Sequence, residues 1–510
     1  MEEQFIESID TDVIVVGAGI SGLAAAHFLR QRGQEVHLLE SADRAGGTIR
    51  TIHRNGFLIE CGANSILDTS PQLRQLIFDL GLTDSLEWIS DVAEKRYVVR
   101  RGELRAVPMS PPAFLKSNLI SWRAKLRLLV EPFVSPAPAD AEETLAEFVL
   151  RRLGREFLDY AIDPFVAGTF AGRPEDLSVA SAFPRLHSLE QDYGSLIKGA
   201  IKKRREGRSK GGDGRNPVRQ PASGDGSRTE AEESPGGPES PSGVVQTGPG
   251  SRLFSFRQGL QTLVDALVAD AGDALHLGCA VRSVGRTGGS TSGSTDNGFE
   301  VTCSSPQGGF AARSRSVLFT IPAHTYDQME FEFPFTPSAA LDSIYYPPVT
   351  VVFLGYRTPP SACRALDGFG FLVPRCERRQ ILGTIWNSAT FTDRAPEGGL
   401  ALTTFVGGSR QPDNAALPDD QLQQVVFREL EELMGLVGSP EEVAISRWPR
   451  AIPQYRIGHG RLLAEVEAFE GEHPGLFLGG NFRGGISMAD CFTQAHAMSE
   501  RVADALRPPA

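Results

Sequence analysis

A chain of 510 residues can bury a large core and has room for two or three domains. Its 63 acidic against 51 basic residues leave a net charge of −12, so no global field draws it to nucleic acid. Six scattered cysteines (Cys61, Cys279, Cys303, Cys363, Cys376 and Cys491) form no C-x-x-C pair and no paired framework, which suits a reducing compartment and speaks against structural zinc. The opening MEEQFIESID lacks the basic and apolar regions of a secretory signal, and no apolar run approaches the roughly 20 residues of a spanning helix. A cytoplasmic protein is expected, held at most to the inner face of the cell membrane.

Val13 to Val16 read as a short buried strand, and Gly17, Gly19 and Gly22 place G-x-G-x-x-G at the turn into a helix. Gly17 permits the tight turn, Gly19 lets the backbone approach a pyrophosphate, and Gly22 lets the helix lie against the strand. Ala18, Ile20 and Ser21 complete this turn, whose helix N-terminus offers free amides and partial positive charge to phosphates. The second strand, Val36 to Leu39, ends at Glu40 and Ser41; Glu40 is a carboxylate placed for a ribose 2′-hydroxyl, which indicates FAD or NAD and not NADP. Arg44, Gly46, Gly47 and Thr48 follow in ESADRAGGTIRT, a second glycine pair of the kind a long, bent dinucleotide needs on its other side. In this respect the stretch resembles the glutathione-reductase and amine-oxidase class of FAD proteins. The next segment, FLIECGANS, would bring Gly62, Ala63, Asn64 and Ser65 to the flavin side.

Residues 71 to 81 start with proline, carry Leu73, Leu76, Ile77 and Leu80 at helical spacing and stop at Gly81, which predicts a packing helix. KRYVVRRGELRAVP, residues 95 to 108, predicts two short strands around an Arg-Gly turn. Residues 110 to 200 are largely helical. Within them Trp122 to Val130 mix aromatic, apolar and basic residues, a pattern seen in membrane-interface helices but read here in favour of a core helix with solvated basic residues. Residues 202 to 251 turn basic, then acidic, and are rich in Gly, Ser and Pro, which predicts a disordered insertion. Its basic half could alternatively meet anionic lipid or a partner.

Gly259 to Val268 predict a helix leading to a strand around Val281, with further strands in GFEVTC and SVLFTIPAH; TGGSTSGSTDNG, residues 287 to 298, reads as a hairpin tip. Strand-like runs VTVVFLGY, GFGFLVP and ILGTIWN, then a helix from Gln421 to Leu436, predict a sheet-based substrate domain. LFLGGNFRGGISMADCFTQAHAMSERVADAL is a strand, a glycine-rich loop and a long helix. Such a loop brings backbone amides to an isoalloxazine ring, and the helix start can stabilise negative charge on reduced flavin. The cofactor expected is FAD.

GAGISG, the KRYVVRRGELRAVP hairpin, VAGTFAGRPEDLSVASAFP, GFGFLVP, RWPRAIPQYRIGH and GNFRGGISMADC together resemble the oxygen-dependent, FAD-containing protoporphyrinogen oxidases of haem synthesis. The resemblance spans the chain except its first ten residues and 202–251. It implies an α/β fold: a Rossmann-like FAD-binding domain of the glutathione-reductase and amine-oxidase type, in three parts (1–92, 252–327, 441–510). A helical domain (93–201) with the candidate membrane stretch, the insertion (202–251) and a substrate domain (328–440) would complete it. It implies that Arg96 pairs with a propionate, that Phe369 and Leu372 sandwich the macrocycle, and that Gly168 offers a carbonyl to a pyrrole N–H. Val281 would meet the adenine, with Trp448, Gly480, Asn481, Ile486, Ser487 and Met488 about the flavin. Ala63 departs from the proline frequent at this position, and the insertion is unusual.

The implied reaction is oxidation of protoporphyrinogen IX by FAD, with O2 reoxidising the flavin to hydrogen peroxide. Electron-rich pyrroles assist hydride loss, so positioning and exclusion of water suffice and no acid or base is assigned. His187, His324, His459 and His496 are candidates by type alone. The alternatives are coproporphyrinogen III as substrate, more distantly an amine oxidase, and a flavin-binding carrier. A homodimer is left open.

Overall fold

The computed structural model describes residues 5–138, 141–210, 252–287, 298–306 and 308–507. The run DVIVV is buried on both faces, as a central parallel strand requires, and lies in β1 (Phe5–Val16). β1 pairs in parallel with β2 (Val36–Glu40) through helix α1 (Ile20–Gln31), and on its other side with Gly308–Phe319. The sheet has eight strands; Leu275–Leu277 flanks β2, while Phe299–Ser305, Ala280–Arg286 and Glu330–Phe331 extend the far side and Leu476–Leu478 pairs with Gly308–Phe319. Chain from three separated stretches therefore builds one domain. Its core packs Leu23, Ala24 and Phe28 of α1 against Leu263 and Leu267 of helix Gln261–Ala271 and Phe492 and Val502 of helix Met488–Leu506. The hairpin-tip reading at 287–298 falls largely outside the described residues; Ala280–Arg286 and Phe299–Ser305 do pair antiparallel on either side of it.

A second sheet of seven strands has the order Glu442–Trp448, Val349–Tyr356, Leu400–Gly407, Gly383–Ile385, Gly370–Leu372, Tyr97–Arg100, Glu103–Ala106. This corrects two boundaries of the sequence reading. The 97–106 hairpin, assigned to the helical domain, joins the sheet by parallel pairing of Phe371 with Tyr97. The strand Glu442–Trp448, assigned to the FAD domain, pairs along its length with Val349–Gly355. Neither pairing is local, so no nearby residue announces it. One face of this sheet carries Tyr97, Val99, Val352, Leu354, Phe371 and Leu402 and is covered by the amphipathic helix Asp419–Met434 through Leu422, Val426 and Leu430.

The stretch expected to be a core helix is inverted. In the short helix Trp122–Arg127, Trp122 is 64% exposed and Lys125 only 6%; beyond it Leu129 is 70% and Phe133 82% exposed. The reason lies in the Lys125 ammonium, which donates to the carbonyls of Leu115 (3.0 Å) and Ser117 (2.6 Å) and sits over the Trp122 and Phe114 rings. The cation spent on these carbonyls closes the loop below, and the apolar side chains turn outward. Behind them the fully buried Glu131 accepts from Arg152 (2.9 Å), Ser195 Oγ (2.6 Å) and the amides of Leu196 and Ile197. Buried Glu190 takes the other side of Arg152. The helix so anchored runs Leu196–Lys210, so the start of the expected disordered insertion is helical; residues 211–251 lie outside the described residues. Among the described residues no helix is long and apolar enough to cross a membrane.

Candidate active site

The glycine turn closes on Thr320, whose hydroxyl donates to the carbonyls of Val16 (3.1 Å) and Gly17 (2.9 Å). Gly17 has φ +96°, a conformation that disfavours side chains, and a Cβ on Gly22 would collide with the Gly17 carbonyl. At Gly19 the space is open, with nothing within 4 Å of a Cβ. Gly19 is the N-cap of α1, so the amides of Ile20, Ser21 and Gly22 face that space without intrahelical acceptors. Glu40 accepts from the Ala18 (2.7 Å) and Ala42 (2.9 Å) amides, and Ser41 lies beside it. Cys279 N bonds to the Glu40 carbonyl (2.8 Å), which brings buried Val281 to the same end. The second glycine pair crosses the first: Gly46 N donates to Ala18 O (2.8 Å), with exposed Gly47 and Thr48 on the rim. Arg44 turns to its own loop, donating to the carbonyls of Ala45, Ile49 and Gly47. It shapes the cradle more than it lines it.

On the far side, Trp448 Nε1 donates to Cys61 O (2.8 Å), and a Cβ on Gly62 would stand 2.5 Å from Thr48 O. Ala63 packs against the FAD-domain core, and Ser65 beside it is half-buried. Asn64 is buried and accepts from Asn387 Nδ2 (2.8 Å), joining this segment to the second sheet. The C-terminal loop passes through Gly480 (φ +128°), Gly484 (+79°) and Gly485 (+122°). Ser487 and Asp490 then form a capping box for helix Met488–Leu506, leaving the Met488 and Ala489 amides without intrahelical acceptors. Ile486 packs on the helical domain and Asn481 O accepts from Tyr455. These open amides, the uncluttered Gly19 and the carboxylate of Glu40 fit a dinucleotide flavin from end to end.

The other face of the seven-stranded sheet carries the residues expected to meet a substrate. By register Leu372, Gly383, Phe405 and Val351 lie in one row across four strands, and Gly370, Ile385 and Thr403 in the next. Gly370 is level with Arg96, one residue before its strand. Leu372, Ile385, Phe405 and Arg96 are only half-buried, beside buried Val351, Phe353, Gly383 and Thr403 on the same face. Helix Asp163–Phe170 lies over the row: a Cβ on Gly168 would stand 2.6 Å from Leu372 Cδ2. The Gly168 carbonyl belongs to the last turn of that helix, which cannot satisfy it internally. Phe369 is held next to Arg96 by its amide on Lys95 O (2.8 Å) and its carbonyl under Trp386 N (2.9 Å).

The Arg96 guanidinium carbon lies 5.7 Å from the Phe369 ring centre, and burial alone moves its pKa down, with no carboxylate to restore it. Arg100, on the same face, meets Glu156 instead. Phe405 and Ile385 escaped the sequence reading. The signal that finds them is cross-strand register, which a single strand does not contain. Among the described residues no histidine lies on the strands of this face: buried His459 contacts Phe482 O (2.9 Å) and its pKa is lowered by burial to about 4, while His496 packs on Phe28.

The model of the flavin containing amine oxidoreductase family matches residues 20–503. The chain is 34% identical over 496 residues to protoporphyrinogen oxidase 2, chloroplastic/mitochondrial, of Arabidopsis thaliana, covering 93% of this chain and 90% of that one. It is 27% identical over 510 residues to the coproporphyrinogen III oxidase of Bacillus subtilis, covering 97% of each. A crystal structure from Exiguobacterium sp. 255-15 shares the fold with a TM-score of 0.73 at 22% identity, covering 97% of this chain and 98% of that one.

Proposed function

Since the chain belongs to the flavin containing amine oxidoreductase family, in its porphyrinogen oxidase branch, and uses FAD, we propose that it oxidises protoporphyrinogen IX to protoporphyrin IX in porphyrin biosynthesis. The observation that carries the substrate class is Arg96: a desolvated guanidinium that no carboxylate among the described residues pairs, over an aromatic ring, on a sheet face whose half-buried groups include Leu372, Ile385 and Phe405. An anionic side arm on a large apolar ring matches both halves of that description.

Bound in the cradle, FAD supplies the two-electron acceptor of each cycle and O2 takes the electrons onward as hydrogen peroxide. The protein's part is placement. Arg96 takes a propionate, Phe369 and Leu372 take the faces of the macrocycle, and the Gly168 carbonyl takes a pyrrole N–H and so orients the ring. The Gly17, Gly19 and Gly22 turn and Glu40 hold the dinucleotide, Arg44 braces the Gly46–Gly47 loop, and Val281 lies toward adenine. Gly62, Asn64, Trp448 and the amides from Gly480 to Met488 would hold the flavin end. Because pyrrole nitrogens assist the oxidation themselves, a face without histidine is no obstacle.

The exposed Trp122, Leu126, Leu129 and Phe133, with exposed Lys116 and Arg123 in the same stretch and Lys198 over the Phe133 ring, we assign to the surface of an anionic membrane, peripheral and on the cytoplasmic side. Coproporphyrinogen III is the second reading, favoured by the full-length match to the Bacillus subtilis enzyme. It carries four propionates where protoporphyrinogen carries two, and among the described residues Arg96 is the cation of this face that makes no ion pair, Arg100 and Arg105 having theirs. The deciding experiment offers both porphyrinogens aerobically to the purified yellow protein and follows porphyrin fluorescence against each autoxidation blank. Faster turnover of protoporphyrinogen supports the first reading, faster turnover of coproporphyrinogen the second, and acceleration of neither by FAD-loaded protein refutes both.

A further inference from the structure

Between the strand Glu442–Trp448 and the helix His459–Glu472 the chain crosses the molecule as a strap, residues 449–458, to which the parts of the site are fastened. Ala451 N bonds to Pro347 O (3.0 Å) and Gln454 N to Tyr345 O (2.9 Å), at the start of the substrate sheet. Buried Gln454 donates from Nε2 to Phe170 O (2.8 Å), the last carbonyl of the Gly168 helix. Ser178 N donates to Tyr455 O (2.8 Å), and Gly458 N to Glu142, both in the helical domain.

From this strap two side chains reach the C-terminal glycine loop. The Tyr455 hydroxyl donates to Asn481 O (2.6 Å) and accepts from Gly485 N (3.1 Å), so one oxygen joins the two limbs of the loop. His459 stacks on the Tyr455 ring (4.2 Å between centres, 11° apart) and meets the next carbonyl, Phe482 O, at 2.9 Å. A carbonyl only accepts, so Nε2 carries the proton, and burial, which lowers the pKa to about 4, keeps the imidazole neutral. Gly484 and Gly485 have positive φ, and a Cβ on Gly485 would stand 2.5 Å from Asp490. The limb that ends in the Met488 and Ala489 amides is therefore held by the Tyr455 hydroxyl and the capping box together.

We propose that Tyr455 is the positioning residue of the flavin loop, its hydroxyl setting the gap between Asn481 and Gly485 and thereby the aim of the following amides at the flavin. The inference rests on residues 480–488 being the flavin-facing loop. It also makes the strap a mechanical link: the Gly168 helix, through Phe170 and Gln454, shares one segment with the loop that tunes the cofactor.

Tyr455→Phe keeps the ring on His459 and removes only the hydroxyl. Amides that aim at developing negative charge favour reduced over oxidised flavin, so their release lowers the midpoint potential. The expected result is an FAD dissociation constant raised about tenfold by flavin fluorescence titration. The preference for reduced flavin should fall by a similar factor, a drop of about 30 mV for a two-electron couple. The apoprotein's circular dichroism should not change. A dissociation constant and potential within twofold and a few millivolts of wild type would overturn the inference. If Tyr455→Phe does not fold, His459→Leu, which releases Phe482 O and removes the ring stacked on Tyr455 so that its hydroxyl loses its bracing, is read in the same titration: a lowered potential sustains the proposal and an unchanged one overturns it. Wild-type protein that takes up no FAD would instead sink the flavin-loop reading itself, so the two failures are distinct.

Discussion

The ring of Phe369 lies 5.7 Å from the guanidinium carbon of Arg96, and among the described residues no acidic side chain pairs with that cation. The neighbouring cations are occupied: Lys95 pairs with Asp367 at 3.0 Å and Arg100 with Glu156 at 2.6 Å. A desolvated charge left open between two satisfied ones is costly to the free protein and gives an anionic ligand something to restore.

Arg96→Ala should therefore raise the apparent KM for a porphyrinogen about 10- to 100-fold, the worth of a charge-assisted hydrogen bond, while FAD content stays at the wild-type level. Steady-state kinetics beside the visible flavin spectrum tests this. Equal loss of flavin would remove Arg96 from the substrate site.

Gly168 and Leu372 should behave as one unit. Gly168→Ala drives a methyl group into Leu372 Cδ2, 2.6 Å away, and should lower kcat/KM at least about tenfold with little change in melting temperature. Adding Leu372→Ala makes room, so the double variant should recover part of the loss. Strict additivity of the two single effects would show that they do not share a contact.

Glu60 joins the hairpin Thr51–Glu60 to the second FAD-domain segment, accepting from Leu260 N and Thr51 Oγ1, both at 2.8 Å. Burial raises its pKa from 4.5 to about 7. The folded state thus binds a proton that the unfolded state has released between those values. The Glu60 contribution is full below about pH 4.5 and is lost as pH rises through about 7, to a limit of about 3 kcal/mol. Glu60→Gln should gain stability relative to wild type between pH 5 and pH 8 in urea titrations. A difference independent of pH would contradict the assignment.

Outward-facing Trp122, Leu129 and Phe133 give a separable prediction. The triple change to Ser should abolish sedimentation with anionic vesicles while leaving turnover in detergent within about twofold, since none of the three approaches the substrate face. Binding to anionic but not neutral vesicles by wild type is expected from the surrounding lysines and arginines. Undiminished sedimentation of the triple variant would remove this surface from membrane attachment.

The sequence by itself determined the elements whose cause is local. G-x-G-x-x-G after an apolar run, Glu40 at the end of the second strand, and the glycine loop before a Ser-x-x-Asp helix start each carry their steric or hydrogen-bonding reason within a few residues. The strands and helices they announce stand where expected. What only tertiary structure decided depends on partners far along the chain. That Glu442–Trp448 and the 97–106 hairpin share a sheet, and that Phe405 and Ile385 lie in rows with Leu372 and Arg96, follows from register between strands as far apart in sequence as Tyr97 and Phe371, which no local pattern encodes. The inversion at Trp122 and Lys125 is decided nearer by but still beyond the helix: amphipathic periodicity says that two sides differ, and the carbonyls of Leu115 and Ser117, in the preceding loop, determine which side is buried.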